Sequence, residues 1–297
     1  MLIGNVISPG ISIHTLLTAW QTGALSLVAL AIQVALAAAY LFGVRRLAKK
    51  GRSWSRWRTV AFLSATILVV IAVQSGLASY DDENFSVHVI QHLLLMNFAP
   101  ILYALSAPMT LALQASSRRT QERLLKVLHH PVVSFITNPL VAASTVYVTM
   151  IGYFLTPFYS FSLEHPLVHD LSHLHFLIAG CIFWWVVIGA DPSRWHLSYP
   201  AKLGLLATGI PVTAVLGLAL TGARTSIAPA FHTVADTRAG GSLLWVIGEL
   251  TMLTAMGLLL FQWMRFDERE AIRADRRADQ EAEAAAAAAT AAPAPGE

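Results

Sequence analysis

Cysteine is almost missing from this chain. Cys181 stands alone, so neither a disulfide framework nor a Cys-x-x-Cys metal or redox site can form within one molecule. Charge is scarce too. Only 12% of the 297 residues are Asp, Glu, Lys or Arg, 56% are hydrophobic, and the mean hydropathy is +0.59. Soluble domains carry about 25% charged residues, and a water-soluble protein of this length would need a charged skin that these residues cannot supply. Neither sign of charge dominates. With 20 Lys and Arg against 17 Asp and Glu, and no basic face, nucleic-acid binding is not expected. No basic segment precedes the first apolar run, so that run is expected to be retained rather than cleaved as a signal peptide. No internal repeat of the secondary-transporter kind is evident. What remains is an integral membrane protein of about one domain.

About 20 consecutive apolar residues cross the hydrocarbon as a helix. Seven segments qualify: 16–44, 59–79, 86–113, 139–156, 169–189, 203–221 and 242–264. The expected fold is an all-α, seven-helix transmembrane bundle over residues 1–266. A cytoplasmic tail, 267–297, follows; it is charged, then rich in Ala and Pro, and partly disordered. The stretch 120–137 mixes Leu124, Leu125, Val127 and Leu128 with Arg123 and Lys126 and reads as an interfacial amphipathic helix. Eighteen of the 20 basic residues fall in the loops after the first, third and fifth spans and in the tail; only Arg224 and Arg238 lie on the other side. Lys and Arg accumulate on the cytoplasmic side, so the N-terminus is expected outside and the C-terminus inside.

This topology sorts the histidines. His88 and His92 fall at the outer end of the third span, and His169, His173 and His175 at the outer end of the fifth. His14, His165 and His232 also lie outside, whereas His129, His130 and His196 are cytoplasmic. His88 and His92 are four residues apart, so they share one helix face, and Met96 continues that stripe one turn deeper. His169 and His173 repeat the spacing. A lone histidine near a membrane boundary is commonly an anchor or a packing residue. Two pairs at one depth are a different matter, because ionisable groups inside spans are costly and default to function. Two facing helices that each offer such a pair can chelate one ion. Asp170 is positioned to orient an imidazole through its second N–H.

Glu249, deep in the last span with Met252 and Met256 on nearly the same face, is a further candidate for binding a cation or supporting the histidines. Pro100 removes a backbone hydrogen bond in the third span and crowds the carbonyl of Met96. Trp184 and Trp185 read as interface anchors, and Asp191 as part of a helix-ending turn paired with Arg194.

Imidazole suits zinc, copper, iron and nickel, and thioether favours copper(I); the combination points to copper. The outer loops, with Asp81, Asp82, Glu83 and Glu164, would not repel a cation. A b-type cytochrome is the main rival, although histidines at a second depth are lacking. A copper transporter would need polar residues continuing to the inner side, and few exist. Zinc hydrolysis and a scaffold with purely structural histidines complete the alternatives.

The segment His88-Val-Ile-Gln-His92-Leu-Leu-Leu-Met96, followed by Pro100 and by Pro108-Met-Thr-Leu, resembles the hallmark of the multi-span cytochrome c oxidase assembly factor family, CtaG, of bacteria with caa-type oxidases. His169-Asp-Leu-Ser-His173-Leu-His175-Phe, with Gly180, Phe183-Trp184-Trp185 and Asp191-Pro192, is similar to its second hallmark. The resemblance covers roughly residues 20–267. It implies a plasma-membrane protein, not an enzyme, that matures haem–copper oxidase by supplying copper. Carried over, the motifs place metal ligation on His88, His92, His169 and His173; Met96, from its stripe, and Glu249, from its depth in the last span, add ligands available during transfer. The implied cofactor is a copper ion. The implied partners are an oxidase subunit, membrane lipid and a copper donor protein. A single-span copper chaperone of the same name uses paired cysteines, which this chain lacks.

Overall fold

The computed structural model describes His14 and residues 19–291, with side chains through 284, and among these residues helix is the only regular secondary structure. The Ala/Pro-rich end, 292–297, lies outside the described residues. Contacts divide the chain into two compact units, Met1–Met252 and Leu253–Glu297.

In the first unit the chain opens with α1 (Ala24–Lys49), α2 (Arg56–Gln74) and the short α3 (Gly76–Tyr80). The third apolar segment is built in pieces: α4 (Phe85–Leu93), a π-turn (Leu94–Phe98), α5 (Ala99–Leu105) and α6 (Pro108–Ala115). Next come α7 (Arg118–Leu128), α8 (Pro131–Ile136), α9 (Pro139–Phe154), α10 (Phe158–Glu164), α11 (Pro166–Ile188), α12 (Tyr199–Ala207) and α13 (Gly209–Thr221). The first turns of α14 (Val234–Ala291) close this unit. The second unit is the remainder of α14, which changes from Leu- and Phe-rich to alternating charge near Phe266.

Six helices or helix runs are long and apolar enough to cross a membrane, and a seventh is obtained if α9 and α10, bent by 72°, count as one span. The all-α, multi-span expectation is therefore met. The bend has a local cause. Pro157 cannot donate to the helix that ends at Phe154, and the chain restarts at Phe158. The amphipathic stretch expected at 120–137 is two helices, α7 and α8, interrupted at His129–His130 ahead of Pro131. No residue of α7 is buried.

The third segment is the centre of the unit. α5 packs against both α2 and α11, and the π-turn packs against α11. Pro100 explains the π-turn. Lacking an N–H, proline leaves the carbonyl four residues back unpaired; the chain widens by one residue just ahead of it, a device common at functional sites. Gly180 on α11 lets the helices meet there. A Cβ at this position would lie 2.9 Å from the carbonyl carbon and Cα of Met96, and closer still to its oxygen.

Two helix starts are held by distant carboxylates. Asp191 accepts from Met109 N–H (3.1 Å), Thr110 N–H (2.6 Å) and the Thr110 hydroxyl (2.6 Å). It thus caps α6 rather than pairing with Arg194 as its spacing had suggested. The preceding Ala107 is left-handed, with φ 49°, a conformation costing an alanine about 1–2 kcal/mol, which the cap helps to offset. Asp236, at the start of α14, does the same for α4. It accepts from Phe85 N–H (2.6 Å), Ser86 N–H (3.1 Å) and the Ser86 hydroxyl (2.7 Å).

Candidate metal centre

His88 and His92 both lie in α4, before the π-turn, so regular helix geometry keeps their side chains on one face. The start of α4 is held twice, by Asn84 Oδ1 accepting from Val87 N–H at 3.2 Å and by Asp236. His169 and His173 lie on the first turns of α11, which begins at Pro166, a residue suited to the first helical position. His165 is the N-cap residue of α11 and stacks on Phe161, with ring centroids 4.1 Å apart. It is exposed and takes no part in the centre.

The two pairs converge. His88, His169 and His173, together with Asp81, each offer one ligand atom, and all four atoms lie within 4.8 Å of one another. His169 Nε2 is 3.4 Å from His88 Nδ1, and Asp81 Oδ2 is 3.6 Å from His173 Nε2 and 3.9 Å from His169 Nε2. His92 flanks this group, its ring centroid 4.1 Å from that of His88 and 5.2 Å from that of His173. All four histidines and Asp81 are buried. Tyr153, Phe154, Tyr159 and Phe176 frame the rings; Phe176 packs edge-on against His92 at 4.1 Å, and Tyr153 stacks parallel to His88 at 6.0 Å.

Several of these ring nitrogens make no hydrogen bond. His88 Nε2, both nitrogens of His92 and His173 Nε2 are buried without a hydrogen bond. A buried unsatisfied group costs about 1–3 kcal/mol, so native interiors rarely tolerate a set of them. A neutral imidazole keeps one lone pair and one N–H, so these rings leave coordination capacity that the protein itself does not use.

Asp81 is a member that spacing alone did not identify. It leaves the end of α3 in the Asp81-Asp82-Glu83 loop, seven residues ahead of His88. The signal was present as an acidic run beside a histidine pair, but it read as a general attraction for cations. Burial, and then the neighbouring Asp82 carboxylate, hold the Asp81 carboxyl well above the usual carboxylate range. The acid expected to orient a ring is also different. Asp82 Oδ1 lies 3.2 Å from His169 Nδ1, whereas Asp170 points to the exposed side of α11.

The remaining candidates sit elsewhere. Met96 is buried below the histidines and lines a separate cavity. Glu249 accepts a hydrogen bond from the Thr213 hydroxyl at 2.7 Å, joining α13 to α14. Trp184 is 1% exposed and belongs to that deeper packing rather than to a boundary anchor. His175 bonds the Thr149 hydroxyl at 2.9 Å. His232 Nε2 bonds the Tyr159 hydroxyl at 2.7 Å; burial, opposed by Asp236, holds its imidazole below the usual range. His232 thereby links the Asp236 cap to a ring that packs 4.8 Å from His88.

Residues 38–266 match the family model described as cytochrome c oxidase caa3 assembly factor. Uncharacterised proteins of Mycobacterium bovis and Mycobacterium tuberculosis are each 31% identical to the chain over 287 residues, covering 91% of it. One from Mycobacterium leprae is 32% identical over 270 residues, covering 84% of the chain. The chain spans 43% of the length of the first two relatives and 40% of the third. No solved structure matches.

Proposed function

This chain belongs to the cytochrome c oxidase caa3 assembly factor family, and from that premise we propose that it holds a copper ion between Asp81, His88, His169 and His173 and passes it to an oxidase subunit. The observation that carries this reading is the convergence of four ligand atoms from two helices and a loop within 4.8 Å, beside buried imidazole nitrogens that make no hydrogen bond. Imidazole and carboxylate donors suit copper, which also heads the affinity order of the divalent first-row metals.

Each part of the site has a task. Asp81 supplies the negative charge that a dication needs in a buried place. His169 presents Nε2 while Asp82 engages Nδ1, fixing the ring. His92, in ring contact with both His88 and His173 and with both nitrogens free of hydrogen bonds, is placed to accept the ion as another ligand lets go. Release by ligand exchange makes one coordination bond as another breaks and changes no covalent bond, which fits delivery rather than turnover. The Lys and Arg bias supports a centre at the outer face of a bacterial plasma membrane, with lipid around the bundle and a separate donor protein to load it.

The test is metal analysis of the full chain purified in detergent, beside a His88→Ala/His173→Ala variant. About one copper per chain, lost in the variant, is the expected result. A wild-type chain that takes up no copper under loading conditions, or a variant that keeps it, overturns the reading.

A further inference from the structure

Deeper along the same helices lies a second enclosure. Met96 is four residues past His92, about 6 Å further along the third segment at 1.5 Å per residue. It lines a cavity of about 20 Å³ with Met150 of α9 and Met252 of α14. Asn97 and Thr213 add polar groups to its wall, and Tyr147, Phe183 and Trp184 add aromatic rings. The three methionines come from three different segments, and their exposures are 6%, 4% and 5%. They are three of only seven in the chain.

Methionine is often mere filler in irregular cores. Gly248, also in this wall, argues against that here. It is buried about four turns into α14, yet a Cβ built on it would meet nothing within 4 Å. A helix-favouring alanine would fit that open space at no steric cost, and glycine costs a helix about 1 kcal/mol relative to alanine. The space is therefore kept empty against both packing and helix propensity. Its size is that of a single water or ion. No imidazole or carboxylate lines it. A dication would find no neutralising ligand in this wall, whereas thioethers select a soft monovalent ion such as copper(I). The π-turn sets Met96 into this wall, since it carries one extra residue per turn. Gly180 holds that backbone against α11.

We infer that Met96, Met150 and Met252 form a second, thioether-only site that binds one copper(I), separate from the histidine centre. The inference does not require the histidine centre to hold metal.

The test is anaerobic titration of the full chain in detergent with copper(I), in competition with a chromogenic copper(I) chelator. Met150→Leu/Met252→Leu, close to isosteric, is expected to lose at least tenfold in affinity at one site while copper(II) uptake at the histidine centre is unchanged. Gly248→Ala is expected to melt no lower than wild type and to lose the same site. X-ray absorption on copper(I)-loaded His88→Ala/His173→Ala should show sulfur neighbours. Either cavity variant binding copper(I) within twofold of wild type overturns the inference. So does finding only nitrogen and oxygen neighbours around copper(I) in the histidine variant.

Discussion

Replacing Gly180 with alanine tests whether the close approach of α11 to the third segment sets the metal centre. A Cβ there would lie 2.9 Å from two Met96 backbone atoms, below any distance real Cβ atoms adopt, and the obstacle is backbone, which cannot rotate away. The two segments must part by several tenths of an ångström. Overpacking of this kind typically costs 1–3 kcal/mol. His173 lies seven residues, about 10 Å, along the same helix, and metal sites tolerate only about 0.2 Å of error in ligand distance. The two histidine pairs ride on the two segments being pushed apart. We expect metal affinity at the centre to fall about 10- to 100-fold, the scale seen when the groups supporting metal ligands are disturbed. The control is Gly152→Ala, where an added Cβ meets nothing within 4 Å; a gain of about 0.5–1 kcal/mol from helix propensity is expected, with unchanged affinity. Competition titration with a metal chelator and thermal unfolding measure the two quantities. If Gly180→Ala binds and melts as Gly152→Ala does, the argument that this contact positions the ligands is wrong.

Asp236→Ala and Asp191→Ala each remove a carboxylate that caps a distant helix, and each should lose about 1–2 kcal/mol of stability. Only the first should also weaken metal binding, because only α4 carries ligands; equal effects on binding would refute the assignment. Asp81→Asn should lower metal affinity and flatten its pH dependence. The folded-state pKa of Asp81 is raised, so its contribution to metal-free stability is present below the ordinary carboxylate range and is lost as pH rises through the raised value. Metal affinity rises over the same window, because the ion needs the ionised carboxylate. Wild-type affinity that does not vary with pH above the ordinary carboxylate range would contradict this. Purified protein should lack a Soret band, and a strong one would favour haem ligation over the copper reading.

Much of this architecture was readable without coordinates, for simple reasons. Membrane spans announce themselves through apolar length, and a four-residue spacing puts His88 beside His92, and His169 beside His173, in any α-helix. Both are one-dimensional signals. Met96 shows where such reasoning stops. Its eight-residue offset from His88 implied a further ligand on the stripe, but Met96 lies inside the π-turn, which breaks the phase, and it lines a cavity with Met150 and Met252. Asp170 looked like the orienting acid because it stands three residues before His173 on the same helix, yet it lies on the exposed side of α11.

Composition and periodicity therefore determined the class of protein, the candidate spans and the pairing of the histidines, because hydrophobic length and helical repeat act locally along the chain. Only the tertiary structure decided that Asp81 joins the centre, that Asp82 engages His169, and that Asp191 and Asp236 cap helices 82 and 151 residues away. Loop direction and long-range hydrogen bonds follow no period. They are set by which surfaces the packed helices bring face to face.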